Sequence, residues 1–111
     1  MDVNEFVRAL ERFKEEVDSE IQIQTMLAFL AVARRGVCTQ KEIETELGMT
    51  IGSASRNISY WTDLKKPGVE GIGFIERVDD PRDRRYKLLR LTDTGKAFYT
   101  ALRKATPNKG R

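Results

Sequence analysis

Thr39-Gln40-Lys41-Glu42-Ile43-Glu44-Thr45-Glu46-Leu47-Gly48-Met49-Thr50-Ile51-Gly52-Ser53-Ala54-Ser55-Arg56-Asn57-Ile58-Ser59-Tyr60-Trp61 holds two helix starts separated by a glycine. Thr39 followed three residues later by Glu42 is a capping-box pattern, which satisfies amides orphaned at a helix N-terminus. It predicts a short helix running to Leu47 and stopped by Gly48. Met49 is expected to pack inward in the turn, and Thr50 to cap a second helix over 51–64. A helix-turn-helix needs a residue tolerant of positive φ in its turn and apolar inner faces on both helices. Ile43, Leu47 and Met49 before the second helix, and Ala54, Ile58 and Trp61 within it, meet that requirement. Ala54 is small where the helices approach closely.

The opposite face of the second helix offers Thr50, Ser53, Ser55, Arg56, Asn57 and Tyr60, a set of donors, acceptors and one charge suited to base edges and phosphates. Arg56 is the best single candidate for contact. Simple solvation of an exposed helix accounts for the same residues, so the face gains meaning only from its surroundings. Lys65 and Lys66 at the helix end, and Lys41 near the start of the preceding helix, are placed to reach flanking phosphates. The helix dipole explains lysines at a C-terminus equally well.

Upstream, Val3, Phe6, Val7, Leu10, Phe13 and Val17 recur at spacings of three and four, the stripe of an amphipathic helix. Asp18 or Ser19 is expected to cap a second, central helix from about Ser19 to Arg35, with Gly36 as a left-handed cap. Downstream, Pro67, Gly68, Gly71 and Gly73 mark Lys65 to Gly73 as a connector. Phe74 to Val78 and Arg85 to Leu91 are expected as two strands joined by the polar turn Asp79 to Arg84. Thr92 and Asp93 start a last helix in which Phe98, Ala101 and Leu102 pack. The predicted fold class is α+β, mainly α: a winged helix-turn-helix with a two-stranded β-hairpin wing. Its expected divisions are an N-terminal helix over 1–18, a winged-helix domain over 19–105 and a frayed tail over 106–111.

The 111 residues, 40% of them apolar, suit one compact domain. No run approaches the roughly 20 apolar residues of a membrane span, and the N-terminus lacks the pattern of a secretory signal, so a cytoplasmic location is expected. The single cysteine forbids an internal disulfide, and the absence of histidine removes the usual metal ligand and general base. With no phosphate-loop pattern either, no enzyme activity and no cofactor are expected. Cys38 is read as a small packed residue rather than a redox sensor. Residues 1–20 hold seven acids and three bases, net −4, whereas residues 81–111 hold ten bases and two acids, net +8. The basic end attracts polyanions, and its excess begins inside the predicted hairpin.

Asp80-Pro81-Arg82-Asp83-Arg84-Arg85 is a hairpin tip dense in guanidinium groups, whose self-repulsion falls if an internal acid, Asp83, holds the arginines. With Leu91-Thr92-Asp93-Thr94-Gly95, Leu47-Gly48-Met49-Thr50 and Ala54-Ser55-Arg56, it resembles the MarR family of bacterial winged-helix regulators over approximately Ala28 to Leu102. The resemblance implies that Asp83 orders the wing and that Arg85 enters the minor groove, with Arg82 and Arg84 as further groove or phosphate contacts. Narrow A·T-rich grooves attract such arginines. It also implies sequence-specific binding of double-stranded DNA by a homodimeric transcriptional regulator, expected to be a repressor.

The family's chains are longer, with two C-terminal helices that complete the dimer; here one helix follows the wing. The expected dimer interface is therefore Val3, Phe6, Val7 and Leu10 with Phe98 and Leu102. The chain offers little wall for a pocket, so no small-molecule effector is expected. The alternative function is a winged-helix module for protein interaction, as in a replication complex, against which the basic wing argues.

Overall fold

The computed structural model describes residues 2–66 and 68–104, with Lys66 described by its backbone alone. Asp2 opens α1 (Val3–Glu16): its carboxylate accepts from the Glu5 amide at 2.8 Å, and Glu5 accepts in return from the Asp2 amide. Of the apolar stripe on α1 only Phe13 is fully buried, while Val3, Phe6, Val7 and Leu10 stay exposed. The central helix, α2 (Ile23–Arg35), starts four residues later than expected. Asp18 forms a local turn instead of a cap, its side chain accepting from the Glu20 amide and its carbonyl from the Ile21 amide. Gly36 ends α2 at φ 82° and ψ −70°, a positive φ outside the left-handed helical basin expected for it.

The next two residues form β1 (Val37–Cys38), a strand the sequence reading did not contain. The capping box at Thr39 is present in full, with both reciprocal hydrogen bonds, and opens α3 (Gln40–Leu47). Gly48 follows at φ 64° and ψ 36°, the left-handed conformation that glycine takes without a Cβ penalty. Thr50 then caps α4 (Ile51–Trp61), its hydroxyl accepting from the Ser53 amide at 3.1 Å. This helix stops three residues short of the expected Leu64, because Thr62 is extended and its hydroxyl bonds the Ser59 carbonyl.

The expected connector has structure of its own, an antiparallel pair of β2 (Leu64–Lys66) and β3 (Val69–Glu70). The wing is β4 (Ile75–Asp80) with β5 (Asp83–Leu91), longer strands and a tighter turn than expected. β1 joins β5, so the predicted two-stranded wing sits in a three-stranded sheet of order β1-β5-β4. The Thr92 hydroxyl donates to the Gly73 carbonyl and accepts from the Gly95 amide, starting α5 (Asp93–Lys104). Gly95 lies so close to the strand end that a Cβ there would sit 2.1 Å from the Phe74 carbonyl oxygen. The tail expected over 106–111 lies outside the described residues.

Rings from four helices and from the loop residue Phe74 make the core. Phe29 and Trp61 are 4.9 Å apart, Trp61 stacks on Phe74 at 5.8 Å, and Phe98 lies 5.1 Å from Phe74 and 5.2 Å from Phe13. The buried Trp61 indole donates to the Thr25 carbonyl at 2.7 Å, so its polar edge is satisfied. Phe98 and Leu102, expected at a dimer interface, are 4% and 6% exposed and belong to this core. Their apolar area is already covered by their own chain. Cys38 is buried as expected, and burial pushes its thiol up to about 11.

Candidate nucleic-acid interface

The residues expected to meet a nucleic acid lie on α4, just beyond it at Lys65, and at the tip of the β4–β5 hairpin. Exposed ion pairs join α3 to the end of α2. Arg35 pairs with Glu46 at 2.8 Å and with Glu42 at 3.3 Å, and Arg34 joins the same Glu46. The carboxylates raise the Arg35 pKa above its ordinary value, the Glu46 hydrogen bond most of all.

On α4 the six residues expected to face DNA divide into two groups. Thr50 and Arg56 are exposed and Ser53 and Ser55 half-buried, and Arg56 has no carboxylate partner among the described residues. Asn57 turns the other way: its Oδ1 accepts from the Thr25 hydroxyl at 2.8 Å and its Nδ2 donates to the Ser53 carbonyl at 2.9 Å. Tyr60 also faces the scaffold, its hydroxyl donating to Asp18 at 3.3 Å. Burial, and then the Asp18 charge, push its phenol up to about 12. These two side chains anchor the helix rather than present it. Lys65 is exposed, its ammonium 4.6 Å from the centre of the Tyr60 ring. Ile51, which the sequence reading passed over, is 70% exposed at the first position of the helix. An apolar side chain there suits a thymine methyl group, and the signal was its place directly after the cap.

At the hairpin tip the Asp83 carboxylate accepts from Arg85 Nε at 3.0 Å and Nη2 at 2.8 Å, a two-point fork, and from the Arg85 amide at 3.1 Å. The bonds hold Asp83 below the usual carboxylate range and raise Arg85 above its own. A second acid, missed in the sequence, does the same for Arg82: buried Asp80 accepts from the Arg82 amide at 2.9 Å and from its Nε at 3.4 Å. The backbone bond is the main reason that Asp80 is held below its ordinary value. The signal was the repeated acid-x-arginine spacing, Asp80-x-Arg82 and Asp83-x-Arg85. Arg84 is exposed and has no acidic partner among the described residues. Farther down the strands Lys87 pairs with Asp79, and Arg90 with Glu76 at 2.7 Å.

No group of His, Cys, Asp and Glu suited to a metal ion occurs among the described residues, and none of their helices is long and apolar enough to cross a membrane.

No family model and no curated protein matches the chain. Solved structures do. MarR from Escherichia coli in its apo form superposes with a TM-score of 0.68 at 17% identity, over 94% of this chain and 69% of that one. A transcriptional regulator from Thermotoga maritima gives 0.68 at 19% identity, over 90% and 65%. Overoxidized AbfR bound to DNA gives 0.64 at 17% identity, over 89% and 65%. The chain thus has the winged-helix fold of MarR-type transcriptional regulators, and it spans about two thirds of the length of these three.

Proposed function

We propose that the chain is a sequence-specific, double-stranded DNA-binding transcriptional regulator that acts as a homodimeric repressor and not as an enzyme. In this reading α4 enters the major groove and the wing arginines enter the adjacent minor groove. The observation that carries it is the hairpin tip, where Asp80 and Asp83 order Arg82 and Arg85 while those side chains stay 85% and 81% exposed. Exposed ion pairs add little to stability and cost side-chain entropy. Ordering a guanidinium in open solvent is useful when it later meets an anion, because the entropy has been lost before binding.

Sequence choice falls to Thr50, Ser53, Ser55 and Arg56, joined by Ile51, while Asn57 and Tyr60 set the pitch of the helix. Arg82, Arg84 and Arg85 supply affinity and read groove width, and Lys65 meets a flanking phosphate. That AbfR, which has this fold, is bound to DNA supports DNA as the partner. The copies pair through the exposed face of α1, with no small-molecule effector in the scheme, and the work is done in the cytoplasm. Repression is the expected direction, since a dimer filling adjacent grooves excludes other proteins from the same DNA.

The test is titration of genomic duplex fragments and of random duplex over a range of salt concentrations. A fragment bound at least about a thousandfold more tightly than random DNA is the expected result. Equal affinity for all fragments removes sequence specificity from the reading. Arg85→Ala is expected to weaken the specific complex about tenfold, and unchanged affinity takes Arg85 out of the interface.

A further inference from the structure

Ile75, Arg77 and Asp79 alternate along one face of β4, opposite Leu91, Leu89 and Lys87 of β5. Ile75, Leu89 and Leu91 are buried, so Arg77 is where this face leaves the core and meets solvent. Its Nη2 donates to the Ser59 hydroxyl at 3.2 Å, which joins the sheet to α4 at that level. Arg77 also lines a groove of about 290 Å³ together with Lys41 of α3 and with Arg85 and Lys87 of the wing. Arg85 and Lys87 are matched by Asp83 and Asp79. Arg77 and Lys41 have no carboxylate partner among the described residues. On its other side Arg77 borders a recess shared with Asp63 and Glu76, but Glu76 pairs with Arg90 and neither acid pairs with Arg77. Partial desolvation lowers the Arg77 pKa. Two unmatched cations in one groove repel each other, and an anion between them removes that cost.

We propose that this groove binds one phosphate of the DNA backbone, with Arg77 as its central ligand and Lys41 as its second. The inference rests on the DNA-binding reading and adds a ligand that the hairpin tip and the recognition helix do not supply. A protein with a helix in one groove and a hairpin in the next straddles the phosphate strand between them. Arg77, on β4 below the hairpin tip and bonded to Ser59 of α4, joins the two elements that would straddle it. Such a contact fixes register on the duplex and carries no base information.

The experiment measures binding of random-sequence duplex against salt for the full chain and for Arg77→Gln, Arg77→Lys, Lys41→Ala and Ser59→Ala, with thermal melting of each. Arg77→Gln is expected to weaken binding about tenfold and to flatten the log–log salt dependence by about 0.9, the signature of one lost phosphate contact. Arg77→Lys restores the slope, Lys41→Ala flattens it, and Ser59→Ala leaves it unchanged. A wild-type slope in Arg77→Gln, whatever its affinity, means that Arg77 only positions α4 and overturns the proposal. Should that variant fail to fold, Lys41→Ala decides, and an unchanged slope there overturns the groove. Absence of any DNA binding by the unaltered chain overturns the underlying reading together with this one; binding with unaltered slopes in the variants overturns this one alone.

Discussion

Asp83 holds Arg85 through both its backbone and its side chain, and this makes the hold sensitive to acid in a definite direction. Its pKa in the folded chain is depressed, chiefly by the Arg85 side-chain bonds. A carboxyl of that kind contributes fully above its unfolded value of about 3.9 and loses its contribution as pH falls through the lower folded value. Asp80 behaves alike, with the Arg82 amide as the main cause. The wing is therefore expected to keep its arginines ordered from neutral pH to about 5 and to release them only in stronger acid. Nitrogen-detected NMR of the Arg85 Nε–H group checks this, and a transition between about pH 5 and 7 contradicts it. Asp83 was legible at this scale because it lies inside the run of tip arginines, whereas Asp80 sits at the strand end before them. Asn57 and Tyr60 were not, because their orientation depends on Thr25 and Asp18, which lie far off in sequence and meet them only in the fold.

Among the elements, those with local punctuation were the legible ones. Thr39, Glu42, Gly48 and Thr50 mark their own helix ends by side-chain and backbone chemistry within four residues, and the structure keeps every one. The two residues of β1 have no period to read, and the strand exists only because β5 runs beside Val37 and Cys38. The β2–β3 pair was hidden for the opposite reason, as the prolines and glycines of the connector spoke only of interruption. The start of α2 was misplaced because Asp18 has two local uses, a cap or a turn, and Tyr60 engages it in the turn. If Gly48 sets the turn by its left-handed conformation, a side chain there is strained even though open space surrounds it. Gly48→Ala is expected to cost about 1 kcal/mol of stability in urea denaturation with an unchanged slope. A neutral or stabilising result shows that the turn does not depend on that conformation.

At the scale of the molecule, the aromatic core takes up two of the residues expected between copies. Phe98 and Leu102 close on Phe13, Phe29 and Phe74 and have nothing further to bury. Val3, Phe6, Val7 and Leu10 are left along α1, with exposures from 75% at Val3 to 37% at Leu10. Side chains at these spacings form one stripe, and a second copy of the same helix is complementary to it by symmetry. The acids of residues 1–20 keep this helix off the duplex, since a net charge of −4 repels DNA while the net +8 of residues 81–111 attracts it. Phe6→Glu with Leu10→Glu therefore tests the pairing without touching the core or the wing. The unaltered chain is expected to show the mass of a dimer by light scattering, and the double variant that of a monomer with unchanged melting of its winged helix. Its DNA affinity falls steeply for a two-half-site fragment, because one duplex no longer holds both recognition helices through a single partner, and stays near wild type for an isolated half-site. A monomeric wild type overturns the homodimer, and a variant that dimerises as before places the contact between copies somewhere other than α1.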